Sequence, residues 1–193
     1  MLNELLTSYK LGTFGYKSLG LYHLEEGSRY HPGMNRTQYL LISIFSLSLV
    51  VFAVFLQQLG YQGFSFLPCP LCILQRISYL GIAFSCLLAA GIFPLKKPFH
   101  LLAVLSACFG VIIAGKQVWL LSHPDASCGI DPLETWINQF QLVQGLPWLF
   151  KADGLCSAQL PSILGLHVPE WSLLWFGVLS LTLIITFFRR SRA

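Results

Sequence analysis

Residues 68–93 read PCPLCILQRISYLGIAFSCLLAAGIF, so that a CxxC motif formed by Cys69 and Cys72 opens a long apolar run. Residues 71–93 contain one charged side chain, Arg76, and it lies near the start of the run. An α-helix rises about 1.5 Å per residue, and about 20 apolar residues therefore cross the hydrocarbon core of a bilayer. The stretch predicts a membrane-spanning helix with two cysteines at its N-terminal end.

The composition indicates a membrane protein along most of the chain. Of the 193 residues, 55% are hydrophobic and 10% are charged, whereas a typical soluble domain has about 25% charged residues. Four apolar runs are long enough to span a bilayer, and the predicted spans are residues 39–59, 71–93, 99–121 and 168–188. We therefore predict an all-α integral membrane protein built as a four-helix transmembrane bundle.

The basic residues predict how the spans are oriented. With four spans both termini lie on one side of the membrane, and that side carries nine of the 12 Lys and Arg residues. These nine are Lys10, Lys17, Arg29, Arg36, Lys96, Lys97, Arg189, Arg190 and Arg192. Because cytoplasmic segments are enriched in Lys and Arg, both termini are predicted to be cytoplasmic. The segments that carry Cys69, Cys72, Cys128 and Cys156 then face outward, where disulfides persist.

The ends of the chain are predicted to be cytoplasmic additions to one membrane domain, residues 37–190. Residues 1–36 contain five glycines, mixed charge and no sustained periodicity, which predicts a poorly ordered extension. We expect translation to begin at Met34, directly before the first span, and we expect no cleavable signal peptide. Residues 189–193 form a basic tail.

The long polar segment 122–167 contains the second pair of cysteines, Cys128 and Cys156. Loops of this length are usually functional or disordered. After Asp131-Pro132, apolar residues recur at helical spacing and predict a short amphipathic helix on the outer membrane surface, with packing against the protein as the alternative. The residues that form this apolar face are Leu133, Trp136, Ile137, Phe140 and Val143.

The CxxC motif is compatible with three kinds of site. A disulfide between such close cysteines is strained and reducible, and a helix N-terminus stabilises a thiolate, which favours Cys72 as the reactive group. Zinc sites use the same spacing, but the sequence has no second close cysteine pair or suitably spaced histidines, so no metal is expected. Inert disulfide staples are the third alternative. Cys86 and Cys108 fall inside spans, where we expect them to be packing residues.

Three polar side chains lie near the predicted outer ends of the spans. Arg76 is one helical turn beyond Cys72 on the same face. It either extends to the membrane interface or stabilises the Cys72 thiolate and the anionic form of a bound acceptor. Lys116 either extends to the surface or lines the same pocket, and His123 is most simply a polar interface residue.

Taken together, these motifs resemble the disulfide bond formation protein B (DsbB) family, the quinone-reducing partners of periplasmic thiol oxidases. The resemblance extends from about Met34 to Arg190 and includes the four spans. The motifs are residues 68–76 (PCPLCILQR), 117–120 (QVWL), Cys128, 154–156 (GLC) and 164–171 (LGLHVPEW). The resemblance implies a four-helix transmembrane bundle with a short amphipathic helix in the second periplasmic loop, residues 122–167.

The resemblance also implies roles for the four cysteines. Cys128 and Cys156 would form the disulfide that a reduced DsbA-like partner attacks, with Cys128 taking the mixed disulfide. Cys156 would then exchange with Cys69, and Cys72 would pass the electrons to a membrane quinone.

The implied activity is that of a protein-dithiol:quinone oxidoreductase in the bacterial inner membrane. Arg76, His123 and Cys72 would bind the quinone, either ubiquinone or menaquinone, and neither a metal nor a nucleic acid is expected. Two alternatives remain open. One is a variant dedicated to a single specialised partner, and the other is a non-catalytic membrane anchor stapled by two disulfides.

Overall fold

The structure is a computed structural model that describes residues 34–60, 67–91, 96–123, 135, 137–139, 141–152, 154 and 162–191. All of them belong to one compact unit, Gly33–Arg192. Its helices are α1 (Arg36–Leu59), α2 (Pro70–Gly91), α3 (Lys96–Ser122), α4 (Gln141–Gly145), α5 (Pro147–Phe150) and α6 (Val168–Ser191). Residues 1–33 of the predicted extension lie outside the described residues, so their poor order stays a prediction. Residues 34–36 are described, and Arg36 already begins α1.

The four long helices, α1, α2, α3 and α6, are each long and apolar enough to cross a membrane. Their bounds agree with the predicted spans to within a few residues at every end, so the four-helix transmembrane architecture is confirmed. Gly60 directly follows α1 as its C-cap, and its φ of 66° is a conformation that glycine adopts without strain. α2 begins at Pro70. Proline suits the first turn of a helix, because a backbone N–H at this position would have no acceptor within the helix.

The outer surface of the bundle is apolar and parts of its interior are polar. On α1, Leu41, Ile44 and Val51 are each more than 60% exposed, while Ser43 and Ser46 are fully buried. The Ser43 hydroxyl donates a hydrogen bond to the Ala83 carbonyl at 3.0 Å, which joins α1 to α2. Apolar side chains outside and small or polar side chains between helices are what a lipid environment favours.

The core lies where α2 packs between α1 and α3, and where α6 packs against α3. The Tyr79 ring stacks on the Phe176 ring, with centroids 3.9 Å apart and planes 12° from parallel. Gly110 on α3 makes room for this stack, because a Cβ at that position would collide with the Phe176 ring. Small residues therefore allow α3 and α6 to approach closely.

A buried histidine joins three helices at the end of the bundle away from the CxxC motif. The Tyr39 hydroxyl and His100 Nδ1 are 2.7 Å apart, and His100 Nε2 lies 3.0 Å from the Leu183 carbonyl. Since a carbonyl only accepts, Nε2 carries the hydrogen and Nδ1 accepts from Tyr39. The three residues link α1, α3 and α6.

Part of the described segment between α3 and α6 packs on protein. Ile137 and Val143 are buried in one cluster with Ile73 of α2 and Ala152. In α4, Val143 is buried and Gln144 is exposed. These two apolar side chains therefore follow the packing alternative and not the membrane-surface prediction. The other predicted face residues, Leu133, Trp136 and Phe140, lie outside the described residues.

Candidate active site

The CxxC motif straddles the start of α2 and brings its two sulfurs together. Cys69 precedes the helix and is 2% exposed, whereas Cys72 lies in the first turn and is half-buried. Their Sγ atoms are 2.8 Å apart, and the Cys72 backbone N–H donates to Cys69 Sγ at 3.3 Å. The sequence favoured Cys72 as the sulfur stabilised by the helix N-terminus. In the structure, this N-terminal amide points to Cys69 instead, because Cys69 occupies the position just before the helix.

Two buried glutamines connect the cysteines to α3. Gln117 Nε2 donates to Cys69 Sγ at 3.4 Å and to Cys72 Sγ at 3.2 Å. Gln75 Nε2 donates to Gln117 Oε1 at 2.6 Å. We assigned neither glutamine a role from the sequence. The sequence feature that could have indicated a role is that Gln75 lies in the motif 68–76 and Gln117 in the motif 117–120.

Arg76 is buried, with 6% of its surface exposed, so the interpretation that it extends to the interface is wrong. Its Nη1 donates to the Leu149 carbonyl and its Nη2 to Gln57 Oε1, both at 2.8 Å. Gln57 Nε2 in turn donates to the Trp148 carbonyl at 3.4 Å. The guanidinium thus joins α1, α2 and α5. Because both acceptors are neutral, they do not compensate its positive charge, which lies beside the cysteines.

A cavity of about 300 Å³ lies against the cysteine pair, between α1, α2, α3 and α6. Its polar wall includes Cys69, Cys72, Gln75, Arg76 and Gln117. Its apolar wall is formed by residues of α1 and α6 and by the preceding turn, among them Val50, Phe52, Leu56, Ile163, Trp171 and Trp175. The size and the few convergent polar groups are typical of a small-molecule site.

Of the two histidines near this end of the bundle, His167 lines the cavity and His123 is not among the lining residues. The exposed His123 ring stacks on Trp119 at 4.6 Å between centroids, and its Nδ1 lies 3.0 Å from the Trp119 carbonyl. The role predicted for His123 beside an acceptor stays a prediction. Lys116 is exposed and lies outside the lining as well.

The second cysteine pair, Cys128 and Cys156, lies outside the described residues. Gly154, two residues before Cys156, is described, and its backbone N–H donates to the Pro68 carbonyl at 3.1 Å. A Cβ on Gly154 would collide with the Leu67 carbonyl, so only glycine allows this approach. The chain leading to Cys156 therefore contacts the segment directly before Cys69.

The remaining cysteines and the possible metal ligands can be placed within the described ranges. Cys86 is fully buried in the bundle core, as expected of a packing residue, and Cys108 is half-buried. Within those ranges, no three or more His, Cys, Asp or Glu side chains form a group that could hold a metal ion.

Comparison with known proteins identifies the family. The family model described as Disulfide bond formation protein DsbB matches residues 35–186. The chain belongs to the DsbB family. The family predicted from the sequence motifs is therefore confirmed, and the chain is a multi-pass membrane protein of disulfide bond formation with an oxidoreductase role.

Several DsbB relatives match nearly their whole length. Disulfide bond formation protein B of Ralstonia nicotianae is 44% identical over 159 residues, which are 82% of this chain and 97% of the relative. The protein of the same name from Cupriavidus necator is 45% identical over 159 residues, 82% of this chain and 96% of the relative. Disulfide bond formation protein B 1 of Pseudomonas entomophila is 36% identical over 156 residues, 79% of this chain and 90% of the relative.

Proposed function

We propose that this DsbB-family protein reoxidises a periplasmic DsbA-like thiol oxidase and passes the electrons through its two cysteine pairs to a membrane quinone. The observation that carries the proposal is the position of Cys69 and Cys72. Their sulfurs are 2.8 Å apart, and both residues line a largely apolar cavity between membrane-spanning helices. A dithiol placed in this way can exchange with a protein disulfide on one side and reduce a lipid-soluble acceptor on the other.

The proposal includes an orientation with both termini in the cytoplasm and the cysteine segments in the periplasm. Arg36, Lys96 and Arg189 lie at the bundle end away from the cysteines, at the starts of α1 and α3 and near the end of α6. Cytoplasmic ends of spans are enriched in such residues. The hydrogen bond from Arg76 to Leu149 supports placing α5 on the same side as the CxxC motif.

The proposed relay consists of thiol–disulfide exchanges that each conserve the number of disulfides. A partner thiolate attacks the Cys128–Cys156 disulfide at Cys128, and the partner's second thiolate then resolves this mixed disulfide, so the partner leaves oxidised and Cys128 and Cys156 remain as thiols. The Cys156 thiolate attacks the Cys69–Cys72 disulfide at Cys69 and releases the Cys72 thiolate. The Cys128 thiolate then attacks Cys156, which re-forms the Cys128–Cys156 disulfide and releases the Cys69 thiolate. Two electrons thereby move from the partner to the cysteine pair beside the cavity.

The contact of Gly154 with Pro68 supports the exchange between the two pairs. Two residues of extended chain reach at most about 7 Å, which limits the distance from Gly154 to Cys156. Gly154 is hydrogen-bonded to Pro68, the residue directly before Cys69. Cys69 is almost fully buried, so an attacking thiolate must be delivered by a neighbouring part of the protein, and the chain that follows Gly154 is our candidate.

Redox energetics require a strong acceptor at the end of the relay. DsbA-type oxidants have potentials near −120 mV, whereas structural disulfides typically lie below about −300 mV and could not reoxidise such a partner. A bound quinone would supply this driving force by accepting two electrons and two protons. In this protein the apolar walls from α1 and α6 would hold it, Cys72 would face it, and the Arg76 charge would stabilise its anionic form.

Quinone reduction followed by absorbance tests the proposal. We expect the purified protein, with a reduced DsbA-type partner and ubiquinone or menaquinone, to turn over. Cys72→Ser and Cys128→Ser should each abolish turnover, because each removes one end of the relay. Cys108→Ser is the matched control, since Cys108 lies inside a span away from the cavity lining, and it should retain activity.

The same assay separates the alternatives. Turnover only with one particular thioredoxin-fold partner would indicate a dedicated variant. No turnover with either quinone and several reduced partners would overturn the proposal in favour of a disulfide-stapled anchor.

A further inference from the structure

We propose that Gln75 and Gln117 form a fixed pair of amides that stabilises the reduced form of Cys69 and Cys72 and thereby raises the reduction potential of this pair. Gln117 would be the positioning residue that contacts the sulfurs, and Gln75 would hold Gln117 in the required orientation. The inference rests on the proposed function in one respect, namely that Cys69 and Cys72 cycle between dithiol and disulfide.

The direction of the Gln117 amide follows from its neighbour. A glutamine side chain has an oxygen that accepts and a nitrogen that donates. Gln75 Nε2 donates to Gln117 Oε1 at 2.6 Å, so Gln117 Nε2 is the end that faces the cysteines. Reversing Gln117 alone would place two nitrogen donors against each other and an oxygen against the sulfurs. With Gln75 oriented as in the structure, the donor end of Gln117 faces the sulfurs.

Both cysteines receive hydrogen bonds from the same nitrogen. Gln117 Nε2 is 3.4 Å from Cys69 Sγ and 3.2 Å from Cys72 Sγ. A thiolate carries a full charge and is a strong acceptor, whereas a neutral sulfur is a weak one. The amide therefore stabilises the reduced pair with a thiolate more than it stabilises the disulfide.

Burial strengthens this preference. Gln117 is 4% exposed and Gln75 is 7% exposed, so water competes little for these hydrogen bonds. Hydrogen bonds in a low-dielectric interior are electrostatically stronger than in water. Arg76 also lies beside the pair, with its Nη1 and Nη2 donating to Leu149 and Gln57, whereas Gln117 Nε2 donates to both sulfurs.

The redox step that this pair would bias is simple. Reduction adds two electrons to the Cys69–Cys72 disulfide, breaks the S–S bond and, with one sulfur held as the thiolate, takes up one proton. A donor amide on both sulfurs favours the products of this step, which makes the disulfide a stronger oxidant of the outer cysteine pair.

The test measures the potential of this pair in the full-length chain carrying Cys128→Ser and Cys156→Ser. The protein is equilibrated in glutathione buffers of known ratio and the thiols are trapped by alkylation. In this background, Gln117→Met should lower the equilibrium constant for reduction about tenfold, which corresponds to a potential about 30 mV more negative. Gln75→Met should shift the potential in the same direction by a smaller amount, because Gln117 keeps its donor but loses its orientation.

The matched control is Gln144→Met, the same substitution at an exposed glutamine of α4, and it should leave the potential unchanged. A second readout is the alkylation rate of Cys72 in the reduced protein at pH 7. It should fall in Gln117→Met, because the thiolate is the nucleophile. A purely structural role for Gln117 would not predict a change in both readouts in a protein that retains its helical circular dichroism.

Three outcomes would overturn the inference: an unchanged potential in Gln117→Met, a shift toward a more positive potential, or an equal shift in Gln144→Met. If Gln117→Met does not fold, Gln75→Met provides the test with the same expected sign. The assay needs no quinone and no partner, so a failure here is distinct from a failure of quinone turnover. A pair that cannot be reduced and reoxidised even with both glutamines present would contradict both proposals.

Discussion

At the scale of single residues, the site depends on polar side chains that the membrane interior would otherwise disfavour. Arg76 is buried and donates to one backbone carbonyl and to Gln57, and Gln117 donates to two sulfurs. A buried polar group without a hydrogen-bond partner is costly, so these contacts explain how the helices accommodate the side chains that border the cavity.

A substitution of Arg76 tests its proposed role at the cavity. Arg76→Ala removes the positive charge beside Cys72, and we expect the apparent KM for quinone to rise about tenfold or more, since a loss of about 1.4 kcal/mol of charge stabilisation weakens binding about tenfold. Steady-state quinone reduction at varied quinone concentration measures it. Arg76→Lys, which keeps the charge but loses the paired guanidinium geometry, should lie between. An unchanged KM in Arg76→Ala would show that the charge does not act on the acceptor.

The sequence indicated part of this residue-level picture. It identified Cys69, Cys72 and Arg76 because a CxxC motif and a charge inside an apolar run are unusual. It favoured Cys72 as the sulfur that the helix N-terminus stabilises, whereas the Cys72 amide faces Cys69, because that contact depends on the single residue at which α2 begins. It also gave no role to Gln117, since a glutamine on α3 contacts the motif only after α2 and α3 have packed.

At the scale of elements, the segment between α3 and α6 is held against the cysteine end of the bundle at several described points. Arg76 binds the carbonyl of Leu149 in α5, the amide of Gly154 binds the carbonyl of Pro68, and Ile137 packs with Ile73. The membrane-surface prediction for the helix in this segment missed these contacts. Helical periodicity identifies an apolar face but does not distinguish lipid from protein as the surface that covers it.

The close approach of Gly154 makes a prediction about exchange between the pairs. Gly154→Ala places a methyl group against the Leu67 carbonyl and should displace the chain that leads to Cys156. We expect turnover with the DsbA-type partner to fall about tenfold or more, because misplacing a reacting group by about 1 Å can cost up to about 100-fold. Quenched-flow experiments, in which the mixed disulfides are trapped by alkylation of the free thiols, would locate the slow step.

A suitable control for this variant is Gly145→Ala, because a Cβ at Gly145 would meet open space. It should retain turnover close to that of the unsubstituted protein. Wild-type rates in Gly154→Ala would show that the contact does not position Cys156.

At the scale of the whole molecule, the two ends of the bundle differ. One end is joined by the hydrogen bonds of Tyr39, His100 and Leu183, and the other holds the cavity. The sequence could predict the four spans because bilayer thickness fixes their length and composition. It could not predict the buried histidine, because a polar residue near the end of a span is normally expected to face water.

The histidine predicts a separation between stability and activity. Tyr39→Phe keeps the ring but removes the hydroxyl that binds His100, and should destabilise the protein by about 1–2 kcal/mol. Thermal unfolding in detergent followed by circular dichroism measures the change. Quinone reduction at a temperature where the variant is folded should be unaffected, because the cysteines lie at the opposite end. A large loss of activity in the folded variant would contradict this separation.

The placement of Arg76 between the cavity and α5 has a thermodynamic consequence. One guanidinium borders the cavity and also holds the Leu149 carbonyl, so a ligand in the cavity and the docking of α5 act on the same side chain. Coupling between two such events is reciprocal. If the docking of α5 increases the affinity of a ligand in the cavity by some factor, that ligand therefore increases the docking equilibrium of α5 by the same factor. A compound that binds only the undocked segment would weaken both the ligand's affinity and the docking.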